Sequence, residues 1–144
     1  MLATILLICT ALLIPAHQDD ERFTVAGLKN QEVETFFLNF KEAVGKSEKR
    51  KVAGMVSYPI RVTLKSGRRM RLANQAAFIR YYDQVLHEEF KQLIAATETK
   101  DLWAKSAGVA TPRGEVWFSG IGKPNQPEDV YEIKIIALNG PMRP

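Results

Sequence analysis

The apolar positions of the chain follow a helical period in its first part. One stripe recurs at i, i+3, i+4, i+7 and i+11 and predicts an amphipathic helix over residues 31–44; it consists of Val33, Phe36, Phe37, Phe40 and Val44. Ser47 is then predicted to cap a shorter helix that carries Val52, Met55 and Val56. This helix must end before Pro59, because the residue before a proline avoids the helical region.

After Pro59 the period changes from helical spacing to strict alternation. Ile60, Val62 and Leu64 alternate with polar residues, and the same pattern resumes at Met70 and Leu72 beyond the Ser-Gly pair at 66–67. Alternation interrupted by a short turn is typical of a β-hairpin with one buried face. The polar face of this hairpin carries basic side chains, among them Arg61, Lys65, Arg69 and Arg71.

The second half predicts two more helical stretches and a run of strands. Asn74 is placed to cap a third helix with Phe78 and Tyr82 on its apolar face, and Phe90 continues this face in a fourth helix or in a bent extension of the third. Strand patterns cover residues 102–110, 115–119 and 130–138, separated by turns rich in Pro and Gly. We expect residues 130–138 to form a central strand. This order predicts the α+β class, with N-terminal helices packed in a curved antiparallel sheet.

The N-terminal residues predict a targeting segment. Residues 1–18 hold no charged side chain, and residues 2–14 are an unbroken run of Leu, Ile, Ala and Thr with one Cys, Cys9. This run fits the apolar core of roughly 7–15 residues of a secretory signal and is too short for the roughly 20 residues of a membrane span. We expect a signal peptide over residues 1–16, cleaved near Ala16, a flexible lead-in over residues 17–30 and a single domain over residues 31–140. The expected location is periplasmic or secreted, with no transmembrane segment in the mature chain; the alternative is a buried N-terminal helix.

Composition and charge exclude several classes. A chain of 144 residues with 46% hydrophobic and 25% charged side chains is an ordinary globular protein rather than a collagen-like or disordered one. The net charge of +4 is uneven, since residues 41–71 hold ten basic and two acidic side chains, a local charge of +8. Such a patch can meet an acidic partner, and in an exported protein we expect no nucleic acid; the alternative is a solvated helix end and hairpin.

The sequence holds few of the residues and motifs that metal binding, cofactor binding or nucleophilic catalysis requires. The predicted mature chain offers two histidines, His17 and His87, and no cysteine, so we expect no metal site. Glycine motifs that cradle phosphate are absent from the sequence, and we expect no cofactor. His87 and Asp83 lie four residues apart, but no serine stands in a recognisable nucleophile turn.

Four short motifs resemble those of small exported bacterial proteins in the nuclear transport factor two-like superfamily, which also holds ketosteroid isomerase-like and polyketide cyclase-like members. They are Phe36-Phe37-x-x-Phe40, residues 55–62 (MVSYPIRV), Phe78-x-x-x-Tyr82-Asp83 and residues 114–118 (GEVWF). The resemblance covers residues 31–139. It implies a cone-shaped, cystatin-like domain whose helices and sheet enclose a pocket, and pairing into a homodimer across the sheet.

Among the carboxylates, Asp83 is the strongest candidate for a catalytic residue. It follows Tyr81 and Tyr82 in a predicted helix, so it could lie at a pocket rim and act as a general base, as carboxylates do in the isomerase-like relatives. The alternative is a surface residue or a structural partner of Arg61 or Arg80.

A second group of candidates surrounds Arg61. Arg61 points away from the apolar face of its hairpin, and if it is inside the protein it needs Asp83 or Glu115 as a partner, because an unpaired buried charge is costly. Glu115 and Trp117 share one face of their strand. We expect either a structural ion pair under Trp117 or a pocket wall, in which Arg61 holds a polar or anionic group.

These observations lead to three hypotheses of function. The first is an exported, non-catalytic ligand-binding or accessory module for an unidentified small molecule or protein, with six candidate ligand-binding residues: Tyr58, Arg61, Tyr82, Asp83, Glu115 and Trp117. The second is a small isomerase, dehydratase or hydrolase with Asp83 as general base. The third is a partner-binding or inhibitory protein that uses the sheet or the basic residues 41–71.

Overall fold

The computed structural model describes residues 21–141 of the chain. The predicted signal peptide, its cleavage near Ala16 and the first residues of the predicted lead-in lie outside the described residues.

Four α-helices are present within residues 21–141: α1 (Asn30–Gly45), α2 (Lys49–Gly54), α3 (Gln75–Val85) and α4 (Glu88–Ala96). The first confirms the predicted helix, and Val33, Phe37, Phe40 and Val44 of its stripe are buried. The predicted cap of α3 is also confirmed, because Asn74 Oδ1 accepts a hydrogen bond from the Ala77 amide at 2.9 Å.

The prediction for α2 was wrong at both ends. Ser47 adopts a positive φ of 51° in the turn before the helix, and Glu48 occupies the N-cap without a side-chain hydrogen bond. Val56, expected in the helix, instead begins a strand. Sheet formation decides this boundary, since the Ile135 amide donates to the Met55 carbonyl and Val56 is the strand partner of Ile135.

The described part of the chain forms six strands: β1 (Val56–Thr63), β2 (Arg69–Leu72), β3 (Trp103–Lys105), β4 (Gly108–Ala110), β5 (Val116–Gly122) and β6 (Tyr131–Leu138). They form one curved, open sheet in the order β2-β1-β6-β5-β4-β3. The α+β class and the predicted hairpin of β1 and β2 are thereby confirmed, and β6 is a central strand as expected.

Two features of the sheet differ from the expectation. The sheet is mixed rather than antiparallel, because β1 and β6 run parallel; they are distant in sequence, so no turn fixes their relative direction. The segment expected as one strand over residues 102–110 is the tight hairpin of β3 and β4. Glycine suits position 108 at the start of β4, since its φ is +142° and a Cβ there would lie 2.5 Å from the carbonyl oxygen of Phe118 on the neighbouring β5.

The helices pack on one face of the sheet, called here the inner face. Ile60 and Val62 of β1 and Phe118 of β5 are buried on it. The Phe37 ring of α1 stacks on Phe118 with centroids 6.1 Å apart. The interior between helices and sheet is therefore filled by buried side chains, most of them large: Phe23, Phe37, Phe40, Phe78, Tyr82, Phe90, Phe118, Leu86, Ile94 and Ile135.

Part of the predicted flexible lead-in belongs to the packed structure. Phe23 is fully buried, Leu28 is 4% exposed, and a short 3-10 turn (Thr24–Ala26) joins them. The Arg22 guanidinium donates to the carbonyls of Lys100 at 3.0 Å and Leu102 at 2.9 Å. A single buried aromatic in a polar segment carries no periodicity, so the sequence pattern did not reveal this anchor.

Candidate functional site

The face of the sheet opposite the helices, called here the open face, carries one row of side chains across all six strands. Strand pairing aligns Arg71 with Arg61, Arg61 with Ala137, Ala137 with Trp117, Trp117 with Ala110 and Ala110 with Trp103. Because neighbouring strands lie about 4.8 Å apart, this row spans roughly 24 Å. It has an arginine end and a tryptophan end, with small alanines on both sides of Trp117.

A groove of about 980 Å³ lies on this face and continues past the C-terminal end of β6. The hairpin of β1 and β2 forms one wall, and the turn between β3 and β4, with Trp117, forms the other. Ile136, Ala137 and Asn139 lie between the walls. We call it the open-face groove.

The charge of the open-face groove is strongly positive. Among the described residues, five basic side chains line it against the one carboxylate of Glu89, and all five are exposed; they are Arg61, Lys65, Arg69, Arg71 and Lys105. None of the five forms an ion pair with another residue of the described part of the chain.

Arg61 and Arg71 are direct partners across the two strands. Like charges in directly opposite positions of a strand pair are destabilising. The fold therefore tolerates a local repulsion at this place, which an anion bound between the two side chains would relieve.

The basic region of residues 41–71 is divided by the tertiary structure. Its helical part is largely neutralised, because Lys46 pairs with Glu42 at 2.7 Å and Lys49 pairs with Asp83 at 2.9 Å. Its strand part contributes Arg61, Lys65, Arg69 and Arg71 to the open-face groove. The helical part thus has most of its positive charge paired, whereas the strand part keeps its charge exposed in the groove. In the sequence the two parts form one continuous basic patch.

The tryptophan end of the row is an ordered aromatic pair. The Trp103 and Trp117 rings meet edge to face, with centroids 5.2 Å apart and an interplanar angle of 81°. Lys105 Nζ lies 4.9 Å from the Trp117 centroid, and Trp103 Nε1 donates to the Thr111 carbonyl at 2.9 Å. Trp103 nevertheless remains 39% exposed, so it offers a partner a fixed apolar surface beside a cation.

Of the six candidate residues, Arg61 and Trp117 line the open-face groove. Tyr58 and Tyr82 lie on the helix side of the sheet, where their rings meet Phe78 edge to face. The Tyr58 hydroxyl donates to the Ala53 carbonyl at 2.7 Å, and burial raises its pKa to about 12. Burial also raises the pKa of Tyr82 to about 12, with smaller contributions from Asp83 and Glu48.

The two candidate carboxylates lie apart from the open-face groove. The Asp83 side chain is 79% exposed on the surface of α3, where it pairs with Lys49; it does not line the groove. Glu115 is 3% exposed and closes the turn between β4 and β5, accepting hydrogen bonds from Thr111 Oγ1 at 2.6 Å and from the Arg113 amide at 3.0 Å. The ion pair considered for an internal Arg61 is not formed, because Arg61 lies outside the core.

Arg69, Arg71, Trp103 and Lys105 join the site; the first two belong to the predicted basic patch of residues 41–71, whereas the last two were not singled out by the sequence. The first two follow the polar alternation of the hairpin, which did indicate their common face with Arg61. Lys105 lies two residues after Trp103 on one strand, so their common face was readable once the strand was recognised. Nothing in the sequence indicated that β2 and β3, at opposite edges of the sheet, present these side chains on the same face and in one row.

Clusters of metal-ligating side chains and membrane-spanning helices are both absent from residues 21–141. No group of three or more His, Cys, Asp or Glu side chains within them is arranged to hold a metal ion. Within the same range, no helix combines the length and the apolar character that crossing a bilayer requires.

Comparison with known proteins gives no relative. No protein-family model matches the chain, and no curated protein or solved structure gives a significant match.

Proposed function

We propose that this protein is a non-catalytic binding or accessory module that holds an acidic protein partner on the open face of its sheet. The observation that carries the proposal is the cross-strand pair of Arg61 and Arg71 within a groove of exposed cations. Uncompensated like charges reduce stability, and their presence is explained if the partner supplies the carboxylates.

The dimensions and chemistry of the face favour a macromolecule over a small molecule. A row of roughly 24 Å exceeds the length of a small metabolite and approaches the width of a protein contact. Arginine and tryptophan are also the residues that most often dominate the binding energy of protein interfaces. Arg61 and Arg71 at one end and Trp103 at the other provide such anchors.

The catalytic alternative has less support. Asp83 is exposed, paired with Lys49 and outside the open-face groove. A general base needs a position within hydrogen-bond reach of a bound substrate. The interior that a substrate would enter is occupied by buried aromatic side chains such as Phe37 and Phe118.

We further propose a nuclear transport factor two-like fold and export to the periplasm or the exterior. The element order of two helices, a hairpin, two further helices and four strands, and the curved six-stranded sheet that packs on the helices, are consistent with that fold. The uncharged apolar run of residues 2–14 supports export.

A pair of charge-reversal variants tests the proposed surface. Arg61→Glu/Arg71→Glu reverses the open-face pair, and Arg50→Glu/Arg80→Glu makes the same change of net charge at exposed sites on α2 and α3. Binding of fluorescently labelled poly-L-glutamate is measured by anisotropy at low and at physiological salt. We expect the first variant to lose affinity by about tenfold or more and the second by less than about threefold.

Two outcomes would overturn the proposal. Equal losses in the two variants would mean that net charge, and not the open face, governs binding. If heparin or duplex DNA binds the wild type at physiological salt and poly-L-glutamate does not, the partner is a polyanion of another class and not an acidic protein. Thermal unfolding of each variant confirms that the measured protein is folded.

A further inference from the structure

The strand β2 lies at one edge of the sheet. Its register with β1 shows which of its backbone amides and carbonyls are not used in pairing with β1. The Leu64 amide donates to the Arg68 carbonyl at the hairpin turn. In an antiparallel strand pair, residues that lie opposite each other alternate between hydrogen-bonded and non-hydrogen-bonded pairs. Counting from Leu64 and Arg68, the next hydrogen-bonded pairs are Val62 with Met70 and Ile60 with Leu72. The amides and carbonyls of Arg69 and Arg71 therefore point away from β1, toward the free edge.

The same two residues present their side chains on the open face. Arg71 is the partner of Arg61 in the row across the sheet, and Arg69 lies two residues before it on the same strand. Met70 and Leu72 point to the inner face, where Leu72 is buried and Met70 is partly buried. The edge thus combines backbone groups that have no strand partner within residues 21–141 with cations on one face and apolar side chains on the other.

We propose that an acidic, extended segment of the partner adds to the free edge of β2 as a seventh strand. This inference rests on the proposed function and names the way in which the partner binds. The segment carries carboxylates at alternate positions, which lie across from Arg69 and Arg71, and apolar residues between them, which continue the inner face beside Met70. Backbone hydrogen bonds supply affinity, and the alternating side chains supply specificity.

The arginines also explain why such an edge need not pair with a second copy of itself. Charged side chains on edge strands discourage association between identical sheets. Two copies of β2 would place cations opposite cations, whereas an acidic segment replaces this repulsion with attraction. Arg69 and Arg71 thus disfavour pairing with a second copy of β2 and favour pairing with an acidic strand.

Two variants of Arg71 separate strand addition from simple charge attraction. Arg71→Thr and Arg71→Pro remove the same charge, but only the proline also removes the amide that points to the free edge. Proline is tolerated on an edge strand where the missing amide faces solvent, and circular dichroism and thermal unfolding check that both variants fold. The probe is a fluorescent octapeptide of alternating Glu and Val, compared with an octapeptide of equal composition built from Glu-Glu-Val-Val repeats.

The expected result is that the alternating peptide binds the wild type at least about fivefold more tightly than its rearranged control. Arg71→Thr should weaken this binding by about threefold to tenfold, and Arg71→Pro should weaken it by a further factor of about ten. Equal affinities of the two variants, or of the two peptides, would overturn strand addition. If poly-L-glutamate still binds and still distinguishes the open face, the proposed function survives that result; if no acidic polymer binds, both fail.

Discussion

Arg61 and Arg71 stand directly opposite each other on neighbouring strands, and neither forms an ion pair with another residue between positions 21 and 141. The arrangement is unfavourable for the isolated domain and favourable for a complex with an anion. Stability and binding should therefore respond in opposite directions when the pair is changed.

Replacing Arg71 with threonine should stabilise the free protein. The substitution removes the cross-strand repulsion and introduces a residue suited to strands, so we expect the free energy of unfolding to rise by about 0.2–1 kcal/mol at low salt. The gain should shrink at high salt, where the repulsion is screened. Urea unfolding at two ionic strengths measures it. Arg71→Lys is the matched control, and an equal gain in that variant would contradict the electrostatic explanation.

Glu115 should prove to be a structural residue of the turn between β4 and β5. Its carboxylate accepts from Thr111 Oγ1 and from the Arg113 amide, and Thr111 Oγ1 in turn accepts from the Val116 amide at 3.1 Å. Glu115→Ala should lower the free energy of unfolding by about 2–3 kcal/mol, because buried donors lose their acceptor.

A double-mutant cycle of Glu115→Ala with Thr111→Val tests whether these two side chains act together. We expect the double variant to lose less than the two single losses combined, since each substitution removes the same hydrogen bond. Affinity for poly-L-glutamate should remain within about twofold of wild type in variants that fold. A large loss of affinity would place Glu115 in the binding site instead.

The partly buried Tyr58 and the fully buried Tyr82 should respond differently to loss of their hydroxyl groups. The Tyr58 hydroxyl donates to the Ala53 carbonyl, whereas the Tyr82 hydroxyl has no hydrogen-bond partner among the described residues. Tyr58→Phe should cost about 1 kcal/mol of unfolding free energy, while Tyr82→Phe should be neutral or stabilising. Chemical denaturation of the two variants makes the comparison, and equal losses would contradict the assigned contacts.

Stability should fall at alkaline pH as the tyrosines titrate. The pKa values of Tyr58 and Tyr82 are raised to about 12 by burial, and that of Tyr131 is raised to about 12 chiefly by its hydrogen bond to Glu32. In the unfolded chain tyrosine loses its proton near pH 10. The unfolded state therefore binds fewer protons above that pH, so this stabilisation is complete below about pH 10 and is lost as the pH rises toward 12.

Urea unfolding at several pH values between about 8 and 11, with phenolate absorbance recorded in parallel, checks this dependence. Replacing Tyr58, Tyr82 and Tyr131 with phenylalanine should flatten the decline. An equally steep decline in that triple variant would assign the effect to other groups, such as lysines that titrate in the same range.

The sequence by itself determined the local elements, because each depends on residues close to one another in the chain. The stripe from Val33 to Val44 specified α1, the alternation from Ile60 to Leu72 specified the hairpin, and Asn74 specified the start of α3. The helix expected to reach Val56 was wrong because a distant strand decided the outcome, since the extended conformation of Val56 depends on pairing with β6.

The tertiary structure alone decided which side chains share a surface. Strand order brought Trp103 and Trp117 into one row with Arg61 and Arg71, and the parallel pairing of β1 with β6 set the centre of that row. It also neutralised Lys49 with Asp83, which are distant in sequence, while it left the strand arginines without a carboxylate within residues 21–141. Pairing between distant strands depends on the collective burial of the core rather than on any local pattern, and for this reason the binding face became visible only in the folded protein.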